Sequence, residues 1–175
     1  MSDVGDRPAA GYGVRRGPDP EVPTLERITL ASPRGLEVAF VPRAGMVGTS
    51  MTLDGVEKLG RRTGLVAYLE RGSTYGIPLL APWANRLREH EQSIDGVTWS
   101  VRPGDPGVHA DENGLAIHGL LAGFDGFEVE EIAVDGDRAV LRARLEFSPR
   151  LDRFAAFPFP HDLVVEAEVW GTTLT

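Results

Sequence analysis

Apolar and polar residues alternate with a period of two along much of the chain. In the segment LEVAF, the apolar residues Leu36, Val38 and Phe40 alternate with Glu37 and Ala39, and prolines lie on both sides of the segment. Such alternation predicts short β-strands. We expect strands of this kind from residue 24 onward.

Asp-Gly pairs separate several of the alternating segments, at Asp54-Gly55, Asp95-Gly96, Asp125-Gly126 and Asp135-Gly136. Asp-Gly is favoured in two-residue turns that join antiparallel strands. At least three of the pairs lie between apolar-rich flanks and therefore predict β-hairpins. The clearest predicted hairpin covers residues 127–147, where charged and apolar residues alternate on both sides of the turn.

The last predicted strand is the segment DLVVEAEVW, in which Leu163, Val165 and Val169 share one side. Residues 171–175 then predict a turn and the first step of a returning strand. A strand without a partner leaves backbone donors and acceptors unpaired at a sheet edge. We therefore expect a β-sandwich that is incomplete at its C-terminal side, with an exposed edge through which the chain self-associates.

Two segments depart from the strand pattern. The segment TGLVAYLER, residues 63–71, has apolar residues at helical spacing but is short, so a turn of helix and an irregular segment both remain open. Residues 1–23 are dense in glycine, proline and charge. We expect residues 1–23 to be a flexible lead-in and residues 24–175 to form the β-sandwich domain.

The composition supports an all-β fold and argues against nucleic-acid binding and membrane insertion. The 175 residues include 21 glycines and 13 prolines, which break a chain into short elements. The net charge of −8 would repel a phosphate backbone, so we expect no nucleic-acid partner. Apolar stretches are too short to predict a membrane segment or a signal peptide, so we expect a soluble, cytoplasmic protein.

Cofactor chemistry has no motif in this sequence. The chain has no cysteine, and its four histidines lack the spacings that place two imidazoles on one metal ion. Phosphate-binding glycine loops and the serine-hydrolase elbow do not occur either. We expect neither a metal nor an organic cofactor.

Three residues in apolar surroundings are candidates for binding or catalysis. His118 lies in the segment NGLAIHGLLAG, and could be a structural histidine or an acid-base group. Arg86 ends the apolar run GIPLLAPWANR, which predicts a buried guanidinium whose acceptor is either a carboxylate of the fold or the hydroxyls of a sugar. Trp83 is a core residue or a flat surface against which a sugar ring packs.

The order of GIPLLAPWANRL, NGLAIHGLLAG and FPFPHDLVVEAEVW resembles the N-terminal part of the aldose 1-epimerase (galactose mutarotase) family. Hexose-phosphate mutarotases are similar in outline, but the Asn-Arg pair after Pro82-Trp83 is closer to the galactose mutarotase pattern. The resemblance covers residues 25–175. It implies an antiparallel β-sandwich of the supersandwich type with a sugar bound in an open cleft.

The resemblance also implies a reaction, which interconverts the α and β anomers of a free aldose without a cofactor. By motif, His118 matches a histidine that assists at the ring oxygen, and Arg86 matches an arginine that hydrogen-bonds sugar hydroxyls. Asn85 borders the site. The family's second histidine, its sugar-binding aspartate and its glutamate base have no counterpart in this sequence. A carbohydrate-binding β-sandwich without catalysis is therefore the alternative function.

Overall fold

The computed structural model describes residues 11–72 and 75–175, and its strands form two antiparallel sheets and a separate hairpin. The first sheet contains, in spatial order, β1 (Gly13–Pro18), β2 (Glu26–Ala31), β3 (Leu36–Val41), β4 (Val47–Leu53) and β5 (Val56–Glu57). The helix α1 (Gly64–Arg71) follows, and then the hairpin of β6 (Glu91–Ile94) and β7 (Val97–Ser100). The second sheet contains β8 (Glu128–Asp135), β9 (Arg138–Phe147), β10 (His161–Trp170) and β11 (Thr173–Leu174).

The predicted tight turns are confirmed at three of the four Asp-Gly pairs. Two of the pairs are the turns between β4 and β5 and between β6 and β7; at the third, Asp135 ends β8 and Gly136-Asp137 form the turn into β9. Asp54 and Asp95 both have positive φ angles, of 52° and 50°, and a glycine with positive φ follows each. Two consecutive positive φ angles are what a type I′ hairpin turn requires. The fourth pair precedes β8, where Asp125 binds Arg43 instead of closing a hairpin.

The main core lies between the two sheets. Apolar side chains from both sheets are almost fully buried there, among them Ile28, Leu30, Val38, Leu141 and Val169. The alternation along β10 is also confirmed, because Leu163, Val165, Ala167 and Val169 are buried or half-buried whereas Asp162, Val164 and Glu166 are exposed. The all-β sandwich predicted from the sequence is therefore present.

A second, smaller core covers the opposite face of the first sheet. The helix α1 contributes Leu65 and Tyr68, which pack with Val41, Val47 and Tyr75. Of the two alternatives for residues 63–71, the helix is the one observed. Because both faces of β3 are covered, five of its six residues are buried, which a simple period-two pattern does not predict.

The prediction of a flexible lead-in is wrong for the described part of residues 1–23. Six residues of β1 pair with β2, and Arg15 and Arg16 form ion pairs with glutamates of the same sheet. Glu21 accepts a 2.7 Å hydrogen bond from the Leu65 N–H at the start of α1. Backbone pairing and these carboxylate contacts order a stretch whose composition resembles disorder. Residues 1–10 lie outside the described residues.

One edge of the second sheet is largely open. The short strand β11 pairs with residues 169 and 170 of β10, and residues 161–167 have no described strand on that side. Self-association through this edge stays a prediction. In the described residues, no helix has both the length and the apolarity that a membrane crossing needs.

Candidate functional site

Two neighbouring segments bring the three predicted site residues together. Arg86 forms a β-bridge with Ile117, and the His118 N–H donates a 2.9 Å hydrogen bond to the Asn85 carbonyl. The chain therefore places Asn85 and Arg86 directly beside His118, although 31 residues lie between Arg86 and His118 in the sequence. The proximity of these residues is a property of the tertiary structure alone.

Both segments contain backbone conformations that are unfavourable for ordinary residues. Asn85 has a φ angle of 61° and His118 has a φ angle of 67°. Left-handed backbone at residues other than glycine costs on the order of 1–3 kcal/mol and is concentrated at functional sites. Asp54 and Asp95 have the same conformation in hairpin turns, and Asn85 and His118 differ from them because one backbone hydrogen bond joins the two residues.

Gly119 allows the two segments to approach closely. Its φ angle is 76°, and a side chain there would overlap the carbonyl group of Ala81. The next residue, Leu120, donates a 2.7 Å hydrogen bond to the same Ala81 carbonyl. Gly119 therefore permits a close approach, and the group that approaches it is the backbone before Pro82.

Arg86 is exposed, so the prediction of a buried guanidinium is wrong. Its side chain keeps 44% of its surface exposed, while its partner Asp111 keeps 4%. The apolar run before it is only half-buried and turns outward at residues 84–86. The Nε atom of Arg86 lies 2.5 Å from Asp111 Oδ2. Of the two acceptors considered for Arg86, the structure contains the carboxylate of the fold.

Asp111 is a site residue that the motif analysis missed. Its Oδ1 accepts hydrogen bonds of 2.9 Å from the backbone N–H groups of Asn113 and Leu115. The Leu115 N–H lowers the pKa of Asp111 most; burial opposes this effect, and Asn113 and the charge of Arg86 add to it. The segment DENG is a typical Asx-turn signal, so the turn was predictable but its ion pair with Arg86 was not.

Two substitutions of Asp111 separate its two roles. Asp111→Asn keeps an oxygen for the turn and removes the charge next to Arg86, whereas Asp111→Ala removes both. We expect the Arg86 Nε–H signal in NMR spectra to shift in both variants. The urea midpoint should fall further in Asp111→Ala, because two backbone donors lose their acceptor. Equal urea midpoints for the two variants would contradict the turn role.

His118 is half-buried, and its Nδ1 is buried with no hydrogen-bond partner among the described residues. A second imidazole, His109, lies on the adjoining segment, where its backbone carbonyl accepts a 2.9 Å bond from the Ile117 N–H. Burial lowers the pKa of His109; a hydrogen bond to Ala122 opposes this, and the charges of Arg153 and His118 add to it. His109 is therefore neutral at neutral pH. Its position next to this site has no signal in the sequence.

Trp83 packs against the main core, which favours the core alternative over the sugar-stacking one. Its Nε1 is buried without a hydrogen-bond partner among the described residues. The neighbouring Pro82 instead borders an open groove of about 460 Å³, whose other lining residues include Phe159, His161 and Leu163. His161 begins β10 and stacks on Phe147, with ring centroids 5.0 Å apart. It therefore belongs to an aromatic cluster at the strand entry.

Among residues 11–72 and 75–175, no three His, Cys, Asp or Glu side chains are grouped as a metal site would need. The polar groups brought together at the two segments are an amide, a guanidinium, a carboxylate and an imidazole. These groups can donate and accept hydrogen bonds and can transfer protons. The arrangement is suited to a polar small molecule.

Solved structures share this architecture. A galactose mutarotase-like protein from Clostridium acetobutylicum superimposes with a TM-score of 0.77 at 18% identity, over 95% of this chain and 48% of its own. Galactose 1-epimerase from Lactobacillus acidophilus gives a TM-score of 0.65 at 17% identity, over 92% of this chain and 46% of its own. A protein from Synechocystis gives a TM-score of 0.60 at 20% identity, over 99% of this chain and 50% of its own.

The chain thus spans about half the length of the structures that it matches. No protein-family model and no curated protein matches it. The superpositions show a common fold, and identities of 17–20% leave the activity open. The two facing sheets, the strand order and these superpositions together assign the chain the galactose mutarotase-like β-sandwich fold.

Proposed function

We propose that the paired segments around Asn85, Arg86 and His118 form one wall of an aldose-binding site. The observation that carries this proposal is the hydrogen bond between two left-handed residues, Asn85 and His118, with Arg86 next to them. Strained backbone of this kind costs on the order of 1–3 kcal/mol and is concentrated at binding and active sites. The same three residues are the ones that match the mutarotase motifs.

Arg86 is suited to bind sugar hydroxyls. The shortest contact of its ion pair with Asp111 is through Nε, and its terminal nitrogens have no hydrogen-bond partner among the described residues and can donate to a ligand. Adjacent hydroxyls of a pyranose can accept from such a pair of donors. Asp111 is itself anchored by the backbone, so it offers the exposed guanidinium a partner of fixed position.

We assign His118 the role of general acid in aldose 1-epimerase chemistry. A base removes the proton of the anomeric hydroxyl while His118 protonates the ring oxygen, and the bond between the anomeric carbon and that oxygen breaks. Rotation of the aldehyde and ring closure then give the other anomer. The motifs of this chain supply the acid and the arginine, and they supply no base.

Catalysis by these 175 residues alone is expected to be weak. A general acid or base typically contributes ~10²–10⁴-fold, so a site without its base loses most of its acceleration. Proton NMR of freshly dissolved α-glucose or α-galactose measures the rate directly. A rate above that of buffer, lost in His118→Asn, would assign an active isomerase to this chain. A rate equal to that of buffer would exclude catalysis by the chain and leave sugar binding.

Sugar binding is tested by NMR titration of the ¹⁵N-labelled chain with galactose and with glucose. We expect the backbone signals of residues 85, 86 and 117–119 to shift with increasing sugar. Arg86→Gln should weaken the apparent affinity about tenfold or more, since a charged hydrogen-bond donor is lost. Arg88→Gln, an exposed neighbour, is the control. Shifts confined to other residues, or equal effects of both variants, would contradict the proposed site.

A further inference from the structure

The turn that carries His118 is held from several directions. His118 and Gly119 are consecutive left-handed residues, with φ angles of 67° and 76°. Backbone hydrogen bonds to Asn85 and Ala81 fix the two sides of the turn. The carbonyl of the next residue, Leu120, accepts a 2.7 Å hydrogen bond from Arg153 Nη1. A side chain from the β9–β10 connection therefore reaches the turn directly.

Arg153 is unusual among the arginines of this chain. Its side chain is only 13% exposed, whereas the other ion-paired arginines keep 40% or more of their side-chain surface. Burial of a guanidinium is costly unless its donors are satisfied. The donors of Arg153 meet a backbone carbonyl and, at 3.2 Å, the exposed carboxylate of Asp152.

An aromatic ring from the segment that follows His118 also contacts Arg153. The guanidinium carbon lies 3.7 Å from the centroid of the Phe124 ring, which is a close cation-π contact. Arg153 thus contacts Leu120 by a hydrogen bond and Phe124 by stacking. Because Arg153 contacts the segment 120–124 at two places, it restricts both the position and the rotation of that segment.

We propose that Arg153 is a positioning residue that holds the His118 turn, and with it the imidazole, in the orientation that the sugar site requires. This inference rests on the proposed function for the role of the imidazole. The contacts of Arg153 with Leu120 and Phe124 support its hold on the turn without that assumption. A purely structural alternative is that Arg153 anchors the β9–β10 connection without influence on His118.

The test compares Arg153→Gln with Arg150→Gln, which removes the same charge at an exposed position three residues earlier. The readouts are the ¹H and ¹⁵N signals of the His118 ring, its titration by NMR, and the affinity for galactose. We expect Arg153→Gln to shift or broaden the ring signals and to weaken galactose binding at least tenfold. Arg150→Gln should leave both unchanged, and Arg153→Lys should restore part of the wild-type behaviour.

The outcomes separate the two proposals. If the His118 ring in Arg153→Gln matches that in Arg150→Gln, the positioning role is wrong, even when the wild-type chain binds galactose. If the ring moves but the wild-type chain binds no sugar, the positioning role stands and the proposed function fails. Should Arg153→Gln not fold, Phe124→Leu removes the stacking ring and keeps the cation. Unchanged His118 signals in that variant would then overturn the inference.

Discussion

Replacing Gly119 with alanine is expected to destabilise the fold by about 2–6 kcal/mol. The backbone there has a φ angle of 76°, which alanine adopts only with strain. The new methyl group would also overlap the carbonyl of Ala81 and lie 2.9 Å from the Ala81 nitrogen. Because these atoms belong to the backbone, they cannot turn aside as a flexible side chain would. Urea unfolding followed by circular dichroism measures the effect.

Gly136→Ala is the matched control for this substitution. Gly136 also has a positive φ angle, of 58°, but nothing lies within 4 Å of the position that its side chain would occupy. We therefore expect the control to lose only the backbone term, roughly 1–2 kcal/mol. Equal losses in the two variants would mean that the close approach of Ala81 to the His118 turn does not occur in solution.

Glu57→Gln is expected to cost about 1.5–3 kcal/mol, the usual value of hydrogen bonds to a charged group. One carboxylate oxygen of Glu57 accepts bonds of 2.9–3.1 Å from three backbone N–H groups, and the other accepts a 2.6 Å bond from Ser50 Oγ. The three donors belong to Met51, Lys58 and Leu59. An amide cannot accept at both ends, so at least one donor loses its partner.

This effect should depend on pH in a defined direction. Burial alone would raise the pKa of Glu57, but the hydrogen bonds from Ser50, Met51, Leu59 and Lys58 outweigh burial and lower it below its usual value of 4.5. The folded state therefore favours the carboxylate. Its contribution to stability is complete above pH 4.5 and is lost as the pH falls through the folded-state pKa.

The measurement is the difference in urea midpoint between wild type and Glu57→Gln from pH 7 to pH 3. We expect the difference to shrink below pH 4.5. Glu70→Gln, at an exposed position on α1, is the control and should change little at any pH. A difference that stays constant down to pH 3 would argue against the carboxylate as the acceptor of these bonds.

Local patterns account for the elements that the sequence predicted correctly. Alternation along β10 and the Asp-Gly turns involve at most the 10 residues of one strand, so they can be recognised without knowledge of the rest of the chain. The lead-in was misjudged because β1 is ordered by pairing with β2 and by carboxylates on other strands. Such partners are invisible in a composition that is rich in glycine, proline and charge.

The residues of the candidate site were likewise predicted only in part from the sequence. The sequence motifs selected Asn85, Arg86 and His118, and the structure places these three together. The exposure of Arg86 could not be predicted, because a half-buried apolar run and a buried one have the same composition. Asp111 and Arg153 were missed because their roles depend on contacts with groups 25 and 33 residues away.

The amino-acid sequence was sufficient to predict the all-β character and most of the hairpins, and to reveal the motifs that resemble a mutarotase. These features follow from side-chain periodicity, turn chemistry and short motifs, which are local. Tertiary packing was needed to show that two left-handed turns share a backbone hydrogen bond, that Asp111 pairs with Arg86, and that Arg153 contacts the His118 turn. These contacts arise when distant segments pack against a common core, and no local pattern encodes their distances.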